Sequence, residues 1–192
     1  MIRWTAFGLL CLFYGAYLLK MAGQRRQGIT TNVLRRGKKS RRAYRVGVAL
    51  GAVTNLTCAA QFLSCFWRGY MGPLAVPRPL SLLGVVLMAA GDGLFIAAFV
   101  TMKNSWRAGI DENQRTELVT GGIYRFSRNP AFAGFDLLYL GSVLALGNLA
   151  LLAAACAAVA MIHLQILEEE KHLTKMFGED YRRYAETVRR YL

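Results

Sequence analysis

The sequence predicts an all-α integral membrane protein. About five transmembrane helices are expected, with a tight helical hairpin near the C-terminus and an amphipathic helix on the cytoplasmic side. Three observations carry this. The chain has 192 residues, 55% of them hydrophobic, yet a formal net charge of +13, and its mean hydropathy is +0.29. These values fit together if apolar residues sit in lipid and basic ones at the membrane surface. Five apolar stretches supply the spans, and the basic residues fall in alternate connecting segments.

The apolar stretches are residues 4–19, 44–67, 80–102, 131–146 and 149–167. A spanning helix needs about 20 residues, so the first and fourth are marginal. Only Gly147 and Asn148 separate the fourth from the fifth. Two residues cannot carry the chain far, which predicts the hairpin. Gly47 and Gly51 have the GxxxG spacing that lets helices approach closely. Cys11, Cys58, Cys65 and Cys156 all lie in apolar runs without CxxC spacing, so they read as small buried hydrophobes, with no disulfide framework and no metal site.

Charge gives an orientation. Residues 20–45 hold ten Lys/Arg, residues 103–128 five, and the tail after Glu168 six, against three elsewhere: Arg3, Arg68 and Arg78. The positive-inside rule places the first three groups in the cytoplasm, with the N-terminus outside and the C-terminus inside. The same asymmetry argues against a cleaved signal peptide, whose basic residues would precede the apolar run. The basic segment lacks the aromatic interleaving of a nucleic-acid surface, so the partner expected is the bilayer. The whole chain reads as one domain, with three N-terminal spans in residues 1–102 and a ligand-binding half in residues 103–192. Oligomeric state has no signal.

Past the last span, Leu173, Phe177, Tyr181, Tyr184, Val188 and Tyr191 recur every three or four residues. That is one face of an amphipathic helix, with Arg182, Arg183, Arg189 and Arg190 off it. Gly178 is a candidate break.

The chemistry concentrates in two places. Residues 118–134, LVTGGIYRFSRNPAFAG, form a glycine-bearing, arginine-rich loop running into an apolar helix. Gly121 and Gly122 allow close backbone approach, and Pro130 suits a first helical turn. Arg128 can fork onto a carboxylate. Some 35 residues after Gly134 come Glu169 and Glu170, against the local basic trend. Such an arrangement can hold a ligand that carries both charges. Gly91-Asp92-Gly93 lies inside an apolar span with no strand before it, which excludes a dinucleotide-binding fold. Asp92, Asp136, His163 and Gln165 are ionisable or polar groups within spans, and such groups are functional candidates.

GGIYRFSRNPAFAG followed by EEEKHLTKMFGEDYRRY resembles the isoprenylcysteine carboxyl methyltransferase and phospholipid methyltransferase superfamily. Gly122, Tyr124, Arg128, Pro130 and Gly134 match its first motif. Glu169, Glu170, Leu173, Phe177, Gly178, Tyr181 and Tyr184 match the second. Residues 105–111, SWRAGID, resemble the prokaryotic isoprenylcysteine methyltransferase-like subgroup, which implies a bacterial or archaeal cytoplasmic membrane. Asn129 and Phe132 stand where the family has His and Tyr, so a titrating imidazole is lost at 129. The resemblance implies S-adenosylmethionine as cofactor and carboxyl O-methylation of an isoprenylcysteine-like or other lipidic, prenylated substrate. It implies cofactor contacts from Gly121, Gly122, Ile123, Tyr124, Arg128, Asn129, Pro130, Phe132, Gly134, Glu169 and Glu170, with Arg128, Asn129, Glu169 and Glu170 as the catalytic set. Asp92, Asp136, His163 and Arg182 are substrate candidates. The alternatives are a phospholipid-ethanolamine N-methyltransferase, an NADPH-dependent sterol-type reductase using Arg125 and Arg128, and a non-catalytic relative.

Overall fold

Among the described residues six α-helices run α1 Ile2–Arg26, α2 Arg41–Phe66, α3 Arg78–Met102, α4 Pro130–Leu146, α5 Leu149–Phe177 and α6 Glu179–Thr187. The computed structural model describes residues 1–31, 34, 39–67, 72–106 and 117–192. Part of the basic loop, Arg68, and residues 107–111 of the SWRAGID match lie outside these. Helices α1, α2, α3 and α5 are each long and apolar enough to cross a membrane, while α4 is shorter at 17 residues. Their outer faces carry unpaired apolar side chains. Leu19 is 74% exposed, Leu56 63% and Val86 62%, which matches lipid as the surrounding medium.

The first span is not marginal: α1 extends through Lys20 and Gln24 to Arg26. Gln24 is buried there. It accepts a hydrogen bond from the Thr31 hydroxyl at 2.6 Å and donates to the Trp106 carbonyl at 3.1 Å, tying the loop after α1 to the end of α3. Ser40 begins α2, its hydroxyl accepting from the Ala43 amide at 3.1 Å. At the far end, α5 continues ten residues past Leu167 to Phe177, so the glutamates lie within a continuous helix. Gly178, at φ +56°, then breaks the chain direction before α6.

The two-residue turn between α4 and α5 is present. Gly147 sits at φ +60°, where a Cβ would lie 2.7 Å from the Leu74 carbonyl oxygen. Asn148 caps α5, accepting from the Leu151 amide at 3.0 Å. The hairpin is nevertheless not the main packing unit. Helix α4 packs chiefly on α3, and α5 chiefly on α2. Glycine explains the first pairing. The antiparallel helices bring Gly84 against Gly141 and Gly91 against Gly134. A Cβ on Gly84 or Gly91 would lie 2.6 Å from the facing carbonyl oxygen. Gly47, by contrast, faces the loop carbonyl of Leu34, again at 2.6 Å, so its contact is helix to loop. Gly141→Ala is expected to cost about 2 kcal/mol through overpacking. Gly93→Ala, whose Cβ meets open space, is expected to be neutral or slightly stabilising. Thermal unfolding in detergent checks both.

The cysteines are free thiols. Cys65 is buried and Cys58 partly so, but Cys11 and Cys156 are exposed on helix surfaces. The reading of all four as buried holds for Cys65 and is corrected for the exposed pair.

Candidate active site

Helix α5 advances about 100° per residue, so three consecutive carboxylates point three ways. Glu168 turns toward α2, where Arg42 Nε lies 3.1 Å away, and also meets Lys171 Nζ at 3.0 Å. Glu169 turns into a cavity of about 800 Å³ between the helices. Its Oε1 accepts from Gln165 Nε2 at 2.9 Å. Glu170 turns toward the loop and the C-terminal tail.

Glu170 is the hub of a charged cluster. It accepts from Arg128 through Nη2 at 3.0 Å and Nε at 3.2 Å. It also accepts from Arg190 through Nη2 at 2.8 Å and Nε at 3.0 Å. Asn129 Nδ2 reaches it at 3.4 Å and donates to the Arg190 carbonyl at 3.1 Å. Hydrogen bonding to Glu170 raises the Arg190 guanidinium above its ordinary range. Arg128 Nη1 donates to the carbonyls of Ala185 at 2.6 Å and Val188 at 2.7 Å. It thereby caps the C-terminal end of α6, where cations are favoured. Tyr184 Oη, donating to the Tyr124 carbonyl at 2.6 Å, completes the seam between α6 and the loop.

This geometry reassigns several expected contacts. Arg128 is on the cavity wall, but its donors are committed to Glu170 and α6 rather than left for a ligand carboxylate. Asn129 and Phe132 line the cavity, as do Tyr124 and Glu169. Gly121, Gly122, Ile123, Pro130, Gly134 and Glu170 do not. Gly122, at φ +58°, packs its backbone on Thr101, and Gly134 is spent on the α3 contact. Pro130 is buried as the first residue of α4. Glu170 faces its arginines.

The substrate candidates are also displaced. Asp92, Asp136, His163 and Arg182 are absent from the cavity wall. Asp92 is buried in α3. His163 Nδ1 pairs with Tyr191 Oη at 2.6 Å, which fastens the tail to α5. Arg182 is on the exposed side of α6, 3.4 Å from Glu179.

The cavity also has walls that motif reasoning missed. His172 and Met176 continue the Glu169 face of α5 by one and two turns, a signal present in their spacing. Tyr14, Leu18, Leu50, Cys58 and Phe62 come from α1 and α2. Their periodicity marks only helices, so nothing local assigned them to a site. Burial pushes the Tyr181 phenol up to about 12, and the Glu170 charge adds to this. Burial, aided by the Glu169 charge, likewise holds the Tyr124 phenol well above its usual range. Both therefore present neutral rings to the cavity and are not bases at neutral pH.

Comparison with known proteins finds similarity to methyltransferases. A probable protein-S-isoprenylcysteine O-methyltransferase of Oryza sativa subsp. indica is 27% identical over 191 residues, covering 96% of this chain and 92% of that protein. Protein-S-isoprenylcysteine O-methyltransferase A of Arabidopsis thaliana is 32% identical over 108 residues, 55% of either chain. The protein-S-isoprenylcysteine O-methyltransferase of Xenopus laevis is 30% identical over 113 residues, 57% of this chain and 39% of that one. These are plant and animal proteins, which lends no support to the expected bacterial or archaeal membrane. Their names are those of methyltransferases, which gives the reductase alternative nothing. The family model described as phospholipid methyltransferase matches residues 80–180. That match takes in α4, α5, the Arg128 loop and Glu169, and this chain belongs to the phospholipid methyltransferase family.

Proposed function

We propose that this chain is an integral-membrane methyltransferase that uses S-adenosylmethionine to methylate the carboxylate of an isoprenylcysteine-like substrate. One observation carries the reading. A single cavity joins Glu169 and the Arg128 loop to an apolar channel walled by α1 and α2. One end suits a small charged donor and the other a lipid chain. With the basic segments taken as cytoplasmic, the N-terminus lies outside and the polar end of the cavity faces the cytosol.

The residues present fit such a donor. It would supply an electrophilic methyl group on a sulfonium centre. Glu169 offers a carboxylate for the donor's ammonium, and Gln165 holds that carboxylate in place. Tyr124, Phe132, Tyr181 and Tyr184 offer aromatic faces to positive charge. Arg128 and Glu170 act indirectly, by pinning α6 so that Tyr181 and Tyr184 stay on the wall. A carboxylate acceptor is already ionised at neutral pH, so the chemistry asks no base of the protein. That suits an Asn at 129 in place of an imidazole. The protein's part is to align acceptor and methyl group and exclude water.

Methyl transfer from labelled S-adenosylmethionine tests this with the purified protein in nanodiscs. The acceptors are an S-farnesyl cysteine with a free carboxylate, its carboxamide, and phosphatidylethanolamine. Base-labile label on the free carboxylate alone is expected. Label on the ethanolamine headgroup alone would overturn O-methylation in favour of N-methylation. Absence of both transfer and heat of donor binding would overturn the reading altogether.

A further inference from the structure

The end of the cavity remote from Glu169 is built from aromatic rings and a polar brace. On α2 the wall runs from Leu50 to Phe62, about 18 Å at 1.5 Å per residue. On α1 it runs back from Met21 to Cys11. At the end remote from Glu169, Phe62 packs edge-on against Phe7, with ring centroids 5.8 Å apart. Phe7 in turn meets Phe66 at 5.5 Å and Trp4 at 6.1 Å, so four rings cluster one turn beyond, with Trp4 and Phe66 half-exposed. Beside them a polar brace crosses three helices. Tyr14 Oη donates to Gln61 Oε1 at 2.6 Å, Gln61 Nε2 donates to Ser142 Oγ at 3.0 Å, and Ser142 donates to the Tyr139 carbonyl at 2.8 Å. Gln61, Ser142 and Tyr139 are fully buried. Such a satisfied network in an apolar interior is rigid and costly to displace.

The geometry points to a length stop for the lipid chain: Phe62 and Tyr14, the latter held by Gln61 and Ser142, form the floor of the channel and set the longest prenyl group that leaves the reacting carboxylate at the Glu169 end. This rests on the proposed function and goes beyond it, because it names the residues that select among prenylated substrates. An aromatic plug and a braced tyrosine cannot yield to an extra isoprene unit as loose aliphatic packing would. Cys58 lies on the wall one turn before Phe62, so a larger side chain there shortens the channel.

A series of S-prenyl cysteines, geranyl, farnesyl and geranylgeranyl, tests the floor in the full-length protein. Phe62→Ala is expected to raise the kcat/KM ratio of the longest over the middle substrate by about tenfold, and Cys58→Leu to lower the ratio of middle over shortest by a similar factor. Opposite shifts from the two variants support the stop. Unchanged ratios in both, with wild-type transfer intact, overturn it and leave the methyltransferase reading standing. If wild type transfers to none of the series, that reading falls. The length dependence is then read as thermal stabilisation by the same thioethers, where a cut-off that fails to move in Phe62→Ala overturns the floor. Should Phe62→Ala not fold, Cys58→Leu decides alone by the same readouts.

Discussion

Glu170→Ala is expected to destabilise the protein by about 3 kcal/mol and to abolish most activity, although Glu170 does not touch the cavity. The carboxylate is partly buried, 13% exposed, between Arg128 at 11% and Arg190 at 39%. Removing one partner of a buried ion pair leaves an uncompensated charge, which costs about 3–5 kcal/mol. The lower end applies because Arg190 can turn toward water while Arg128 cannot. Arg128 also caps α6, so the loss propagates to Tyr181 and Tyr184 on the cavity wall. Thermal unfolding in detergent and hydrogen exchange at the α6 amides measure it. The double variant Glu170→Ala, Arg128→Leu should recover part of the loss, since no buried charge is then stranded. An unaltered melting temperature with unaltered α6 exchange would show that the cluster does not hold the tail.

Glu169→Ala has the opposite expected signature. Donor affinity should fall about thirtyfold, roughly 2 kcal/mol for a lost charge-assisted hydrogen bond, with melting almost unchanged. The reason is its surroundings: Glu169 is bonded to neutral Gln165 rather than locked between guanidinium groups. Calorimetric titration of S-adenosylmethionine into the two variants separates the neighbours. Wild-type affinity in Glu169→Ala would remove the donor from this cavity. In folded Glu170→Ala donor binding should fall only as far as α6 loosens, because that side chain positions Tyr181 and Tyr184 and does not itself touch the cavity.

The elements were legible because each rests on local physics. Apolar runs of the right length marked α2, α3 and α5, and Gly178 marked the break before α6. The boundaries that failed did so for reasons outside the runs. Helix α1 takes in Lys20 and Gln24 because Gln24 finds buried partners at Thr31 and Trp106. The GxxxG spacing of Gly47 and Gly51 points to a close helix pair there. It lies instead at Gly84, Gly91, Gly134 and Gly141, whose seven-residue spacing was readable but whose partnership was not. An antiparallel match across 50 residues of chain has no local signature.

By itself the sequence determined a multi-helix apolar protein with its basic residues in alternate loops, and it brought the Arg128 loop and the glutamates to one end. Tertiary structure decided which carboxylate does what. Glu168, Glu169 and Glu170 are chemically identical, and their order along the chain says nothing of direction. The rotation of α5 about its axis sends one to Arg42, one to the cavity and one to Arg128 and Arg190. That rotation is fixed by the burial of Ala155, Ala158, Ile162 and Ile166, which lie on the Glu169 side of the same helix in the turns before it, a packing outcome that depends on every helix around it.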